Sequence, residues 1–421
     1  MTDLPAEFIK RMQNALGEEF EGFIQSYSRP PEKGIRINTL KISAAEFRKI
    51  CPFALGEKIP WEDSGYYVCG EGLGRTIAHA AGLYYVQEPS AMCAAPELDV
   101  KAGERVLDLC SAPGGKGTQL AQYMQGEGVL VLNEIDAKRC EILRSNTERL
   151  GVKNAAVACR SPQSLAESFE GYFDKILVDA PCSGEGMFKK EVNAIPEWSA
   201  ANVARCAERQ SHILSCADKM LAAGGRLVYS TCTFAEEEDE RQIEGFLKAY
   251  ANYKLLKMQK LYPHKVRGEG HFCAVLEKTD GVRMPVRSLK LNVDKSAEKL
   301  YKEFEKEYLG VHFGNLHMFG DKLYSLVDGL PQLMRSGVYL GEIKSGRFVP
   351  SHTLAMCLKK DEAKHIEVDE KTALSYLRGL TFDCGGDIKG WRLVCCYGYP
   401  LGWCKAVGGT AKNHLPKGLR I

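Results

Sequence analysis

VLDLCSAPGGKGTQLA, residues 106–121, runs an apolar strand carrying one acid (Val106, Leu107, Asp108, Leu109) into a Pro-Gly-Gly-Lys loop, which opens a helix expected from Thr118. Strand, glycine loop and helix together make a nucleotide cradle. Glycines let the backbone approach a ligand that larger residues exclude, and the free N–H groups of a helix start favour a negative group. The spacing is neither the dinucleotide GxGxxG nor the P-loop GxxxxGK[ST], so shape alone leaves an ordinary tight turn of an α/β domain open.

Outward from this stretch, short apolar strands alternate with longer helices. Strands are expected at 106–109, 129–133, 155–159, 176–179 and 227–230, with helices over 137–150 and 202–221 between them. This pattern predicts an α/β, doubly wound parallel sheet. A last pair, 254–261 and 272–277, is joined by YPHKVRGEGH and predicts an antiparallel hairpin on the edge, the outline of a methyltransferase core by fold analogy. His264 and His271 flank that hairpin and are expected to face solvent. Ligands of such sheets sit beyond the carboxyl ends of the strands, where Glu134 in VLNEIDAKR is placed to accept hydrogen bonds from ribose hydroxyls; a solvated loop acid is the alternative.

A chain of 421 residues exceeds one ordinary domain. Its charge is uneven: residues 281–421 hold 22 Lys+Arg against 15 Asp+Glu, and residues 1–280 hold 34 against 39. A basic C-terminal part suits a polyanionic partner. Sixteen cysteines with no CxxC and no signal-like N-terminus predict free thiols in the cytoplasm, with no metal site; no apolar run is long enough for a membrane span.

Four parts are expected: an N-terminal module (1–75), a catalytic domain (76–280), an intermediate region (281–375) and a C-terminal domain (376–421). The first combines an amphipathic helix from Leu4, the loop SRPPEKG and the strand-like IRINTLKI, and gathers Arg29, Lys33, Arg36 and Lys41, which read equally as a nucleic-acid face or as solvated charge. SAEKLYKEFEKEYLG in the third is a charged amphipathic helix, most simply a solvated face. From Lys389 to the end there is no acid: Lys389, Arg392, Lys405, Lys412, Lys417 and Arg420 are interleaved with Trp391, Tyr397, Tyr399 and Trp403. Cations for phosphates and rings for bases suit RNA, while a small β-barrel core that buries the rings fits the same residues.

The fourth and fifth strands both end in cysteine, at ILVDAPCSGEGMFKK (Cys182) and GGRLVYSTCTF (Cys232). Neighbouring strands would bring both thiols to one crevice. Carbon 5 of a pyrimidine is a poor nucleophile, and a thiolate added at carbon 6 activates it toward an electrophilic methyl group. A free thiol is mostly protonated at neutral pH, and Lys116 nearby favours the thiolate. Asp179 is placed to hold the protonated ring nitrogen or the exocyclic amine, and a second thiol can assist release.

The motifs DLCSAPGGKGTQLA, ILVDAPCSGEGMF and LVYSTCTFAEEEDE resemble the RNA cytosine-5 methyltransferases of the NSUN and RsmF type, as do IRINTL and GLYYVQEPSAM; the acid-free tail is similar to the PUA-like domain of the bacterial RsmF branch. The match is loose between about 281 and 376. The resemblance implies a Rossmann-like core that uses S-adenosylmethionine, with Cys232 as nucleophile, Cys182 as release residue, and Lys116 and Asp179 beside the target base. It implies cofactor contacts at Ala112, Pro113, Gly114, Gly115, Lys116, Glu134, Arg139 and Asp179, and RNA contacts at Arg36, Lys389, Arg392, Lys405, Lys412, Lys417 and Arg420. The implied substrate is small-subunit ribosomal RNA, bound by a monomer. Two departures stand out: Arg160, Ser161 and Pro162 follow the third strand where relatives place an adenine-binding aspartate, and Glu237, Glu238, Asp239 and Glu240 replace Glu-Glu-Asn-Glu at an expected helix start, where acids are favourable anyway. Two rival readings are an inactive RNA-binding protein on this fold and a methyltransferase acting by direct displacement on a small molecule or protein. The intact Cys232, Cys182, Lys116 and Asp179 set opposes the first; the second needs no thiols.

Overall fold

A computed structural model describes residues 4–191, 193–285 and 290–421. The helix expected from Leu4 forms as two pieces, α1 (Ala6–Leu16) and a shorter Phe20–Ser26, because Gly17 turns the chain at φ +53°. Their buried residues Phe8, Met12 and Phe23 pack on Phe188, Trp198 and Phe234, so this end of the chain shares a core with the catalytic domain. Strands β1 (Gly34–Ile37), β2 (Leu55–Lys58), β3 (Gly65–Val68) and β4 (Tyr84–Gln87) follow as an antiparallel sheet in the order β2-β3-β1-β4.

The central sheet has seven strands: β5 (Arg105–Asp108), β6 (Val129–Asn133), β7 (Ala155–Ala158), β8 (Phe173–Asp179), β9 (Leu221–Thr231), β10 (Tyr253–Leu261) and β11 (His271–Lys278). Their order is β10-β11-β9-β8-β5-β6-β7, with β5 to β9 parallel and β11 and β10 antiparallel at the edge. The doubly wound sheet with an edge hairpin is therefore present. Helices α2 (Gly115–Met124), α3 (Ala137–Arg149) and α4 (Ala200–Met220) cross between the strands. Helix α2 starts three residues before the expected Thr118, with Gly114 at φ +110° forming its entry. A side chain at Gly117 has no room, since a Cβ would stand 2.5 Å from Ser111 Oγ and 2.9 Å from Asp108 Oδ2.

Beyond the catalytic sheet, the charged helix α5 (Lys295–Tyr308) buries Ala297, Tyr301 and Phe304 and leaves its other faces to solvent. It packs on a four-stranded antiparallel sheet over 316–350. A five-stranded sheet follows, built from His365–Glu367, Phe382–Asp383, Gly390–Cys396, Tyr399–Val407 and Thr410–Asn413. Its residues Val394, Cys396, Leu401 and Cys404 join Ile35, Ile37, Phe47 and Tyr84 in one core, which ties the end of the chain to its beginning. No helix among the described residues is long and apolar enough to cross a membrane, and no group of three His, Cys, Asp or Glu there could hold a metal ion.

Candidate active site

The order β9-β8-β5 puts the two cysteine-bearing strand ends side by side and next to the glycine loop. Cys182 Sγ and Cys232 Sγ lie 3.2 Å apart. A cavity of about 760 Å³ opens over the carboxyl ends of these strands, lined by Ala112, Glu134, Arg139, Asp179, Cys182 and Cys232 among others.

A layer of buried polar contacts shapes the thiol loops. Gly186 N–H donates to Cys232 O at 2.8 Å, Ser183 and Thr233 hydroxyls meet at 2.8 Å, and Glu238 accepts from Ser183 N–H (3.0 Å) and from Gln210 Nε2 (2.8 Å). Asp239 accepts from Thr231 Oγ1 at 2.6 Å and pairs with Lys260 at 2.8 Å. Glu238 and Asp239, expected to be acids favourable at a helix start, are fully buried instead: Glu238 holds the loop after Cys182 and Asp239 the strand end before Cys232. The contact with the Cys232 thiol, together with burial, raises the Cys182 thiol well above the usual range. Cys182 thus keeps its proton and can donate S–H toward Cys232 Sγ.

Lys116 is buried beneath the loop, and its Nζ donates to Asp179 Oδ2 at 2.8 Å. Burial acts against both charges, but each offsets it for the other: Lys116 is held above its ordinary pKa, and Asp179, also flanked by His271, below the carboxylate range. The pair is therefore ionised, which makes Asp179 a hydrogen-bond acceptor.

On the other side of the cavity, Glu134 is 4 % exposed; its Oε1 accepts from Asp136 N–H at 3.0 Å and its Oε2 lies 3.1 Å from Arg139. Arg139 Nη2 also donates to Ala112 O at 2.8 Å, linking the acid to the loop. The rest of the loop is tied down through its carbonyls: Asn146 donates to Pro113 O, Thr118 Oγ1 to Gly114 O, and Arg36 to Gly115 O. The wall fits a nucleoside. A buried carboxylate stands where a ribose diol would donate to it, and Ile135, 65 % exposed despite being apolar, lines the same cavity with Pro162 and Gln163, offering a face for a base. Pro162 stands where relatives place the adenine-binding aspartate; Ile135, just after the second strand, and Gln163 were not expected at the site.

Several expectations are corrected. Arg36, placed among the RNA contacts, is 1 % exposed; its Nη1 donates to Gly115 O at 2.6 Å and its Nη2 to Thr118 Oγ1 at 2.7 Å, so it braces the glycine loop from behind. Lys41 likewise turns inward, onto Ala81 O (2.9 Å) and Arg149 O (3.0 Å), leaving Arg29 and Lys33 exposed from that cluster. His271, expected in solvent, is 2 % exposed with Nε2 3.6 Å from Asp179 Oδ1, and His264 packs edge-on to Phe23. In the tail, Trp391 and Trp403 are core residues; Lys389, Lys412, Lys417 and Arg420 are exposed, and Arg392 and Lys405 half-buried.

Comparison with known proteins matches the chain along nearly all of its length. Residues 95–277 match the family model of 16S rRNA methyltransferase RsmB/F, 4–89 the N-terminal domain of 16S rRNA methyltransferase RsmF, 302–358 the first C-terminal domain of RsmF, and 363–421 the RsmF PUA domain. Ribosomal RNA small subunit methyltransferase F of Vibrio cholerae is 31% identical over 464 residues, covering 99% of this chain and 97% of the relative. The same-named protein of Shewanella oneidensis is 30% identical, covering 100% and 98%. Among solved structures, a methyltransferase homolog protein from Pyrococcus horikoshii is 30% identical with TM-score 0.60, over 66% of this chain and 96% of that one. NSun6 from the same organism, solved with SFG, is 23% identical with TM-score 0.61 over 66% and 100%, a likeness of fold.

Proposed function

Because the chain belongs to the RsmF family of 16S rRNA methyltransferases, we propose that it methylates carbon 5 of a cytosine in small-subunit ribosomal RNA through a covalent bond to Cys232. The observation that carries this reading is the thiol pair, 3.2 Å apart on neighbouring strand ends and next to an ionised Lys116–Asp179 pair. Direct displacement needs no such pair. The cofactor is S-adenosylmethionine, which supplies an electrophilic methyl group when bound. Ala112, Glu134 and Arg139 would hold its nucleoside and the loop end at the cavity wall.

The target base must leave its stack to expose carbon 6, at a cost of a few kcal/mol. Cys232 Sγ, deprotonated, forms a bond to carbon 6 and shifts the electron pair of the C5–C6 double bond toward carbon 5 and the ring nitrogen. With the ring nitrogen protonated from solvent, Asp179 accepts a hydrogen bond from it or from the exocyclic amine and holds the base in that activated form, so the pair pushed out by the attack ends on a neutral nitrogen. Carbon 5 takes the methyl group. A solvent base then takes the carbon 5 proton, the C5–H electron pair re-forms the C5–C6 double bond, and the C–S pair returns to Cys232 Sγ, which Cys182 S–H stabilises as it leaves.

In this reading the divisions 1–75, 76–280, 281–375 and 376–421 serve RNA contact, catalysis, connection and RNA binding; the four matched family segments support four parts. Lys389, Arg392, Lys405, Lys412, Lys417 and Arg420 supply the RNA-binding charge. The protein acts as a monomer in the cytoplasm, where its sixteen free thiols stay reduced.

Denaturing gels of enzyme incubated with small-subunit RNA and S-adenosylmethionine test the assignment. Cys232→Ala is expected to abolish methylation, and Cys182→Ala to permit transfer but leave a protein–RNA adduct. Full activity of Cys232→Ala, or no adduct with Cys182→Ala, overturns it.

A further inference from the structure

His271 opens strand β11 and pairs with Leu261 of β10. The loop before it is fixed by the N-terminal part of the chain. Tyr67 OH donates to Arg267 O at 2.9 Å, Glu269 N–H to Glu88 Oε1 at 2.9 Å, and Gly270 N–H to Ser90 Oγ at 3.2 Å. Those bonds drive the imidazole into the protein beside Asp179, where it is 2 % exposed. Neither ring nitrogen has a hydrogen-bond partner among the described residues, and Nε2 stops 3.6 Å from Asp179 Oδ1, just beyond bonding range. Leaving a buried imidazole unpaired is costly, so a partner gained in the working complex would recover that cost.

We propose that His271 is a positioning residue of the base site: its N–H closes onto Asp179 Oδ1 and fixes the carboxylate that holds the target pyrimidine. The assignment rests on the covalent reading above. Asp179 already has one partner on each oxygen, Ser230 Oγ on Oδ1 and Lys116 Nζ on Oδ2, both at 2.8 Å. Those two leave the carboxylate free to tilt about the line joining them, and a third donor from β11 removes that freedom. The other titratable groups around Asp179 are Asp108 and Cys110 of β5 and its loop, Cys93 ahead of β5, and Cys232. Burial, and then Lys116, drive the His271 imidazole down to about 4, so it stays neutral and carries one N–H throughout an assay between pH 5 and 9.

Adduct formation in the Cys182→Ala background, followed against pH, tests this. His271→Phe keeps the ring volume but removes the donor. Without the donor the Asp179 carboxylate is free to tilt off the base, so the adduct rate is expected to fall about tenfold, by the same factor at every pH from 5 to 9 because Asp179 stays ionised across that range. His271→Gln, which keeps an N–H at similar reach, is expected to restore the parental rate. Cofactor affinity and melting temperature, measured on the same variants, are expected to stay at the parental values. An adduct rate unchanged in His271→Phe, or lowered equally in His271→Gln, overturns the positioning role while adducts in the parent leave the covalent reading standing. No adduct in the Cys182→Ala parent overturns both.

Discussion

Asp108 closes strand β5 at the entrance to the glycine loop, fully buried, with neither carboxyl oxygen hydrogen-bonded among the described residues. Burial pushes its carboxyl up to about 7. An unfolded chain ionises an aspartate near 4, so between about pH 4 and 7 the folded state binds more protons than the unfolded one. The stability Asp108 contributes is therefore complete below about pH 4 and is lost as pH rises toward 7. Asp108→Asn, neutral at every pH, has no such loss. Urea unfolding at pH 5, 6, 7 and 8 is expected to show the wild type losing ground to the variant by up to about 1.4 kcal/mol per pH unit up to 7, then running parallel. A constant difference over that range would mean that Asp108 is ionised in the fold.

The glycine loop and α2 answer to contacts from a distant part of the chain. Arg36 on β1 bonds Gly115 O and Thr118 Oγ1, and through Nε also reaches Gln122. Arg36→Ala leaves those buried acceptors unpaired, at a cost of about 2–4 kcal/mol, and loosens the loop; cofactor affinity is expected to fall while salt-dependent RNA binding holds. Calorimetric titration with S-adenosylhomocysteine beside RNA titrations checks this, and weaker RNA binding with intact cofactor affinity would return Arg36 to the RNA face. The brace was illegible because Ile35-Arg36-Ile37 alternates like a strand with one wet face, whereas β1 is covered on both sides, by the C-terminal core and by α2. The catalytic strands were legible for the opposite reason: each is an apolar run bounded by turn residues, and their neighbours follow from the doubly wound arrangement. That order alone placed Cys182 beside Cys232. His271 escaped because its burial depends on Glu88, Ser90 and Tyr67, which are far from it in sequence. At Gly117 the packing is local: Gly117→Ala is expected to cost about 1–3 kcal/mol in thermal unfolding, since the new methyl group meets Ser111 and Asp108.

Across the whole molecule, the C-terminal sheet has two roles that the sequence could not separate. Its inner residues Val394, Leu401 and Cys404 complete the core around Ile35 and Tyr84, so removing the chain from Lys389 onward would expose that core and disturb Arg36 and the cofactor loop along with RNA binding. Truncation therefore cannot distinguish an RNA-binding tail from a structural one. Surface charge can. Lys405 and Lys412 stand directly opposite each other on neighbouring strands, a like-charge pair that destabilises the sheet unless an anion lies across it, with Lys389 and Lys417 exposed nearby in the chain. Replacing Lys389, Lys412 and Lys417 by Glu leaves the buried face untouched. RNA affinity measured against salt is expected to fall for all sequences alike, and the slope of log K against log salt to flatten by about one per lysine in contact. Cofactor affinity is expected to stay unchanged, because these exposed side chains lie outside the catalytic cavity. An unaltered salt slope would place the RNA elsewhere on the molecule and leave this sheet as the clasp that joins the end of the chain to its beginning.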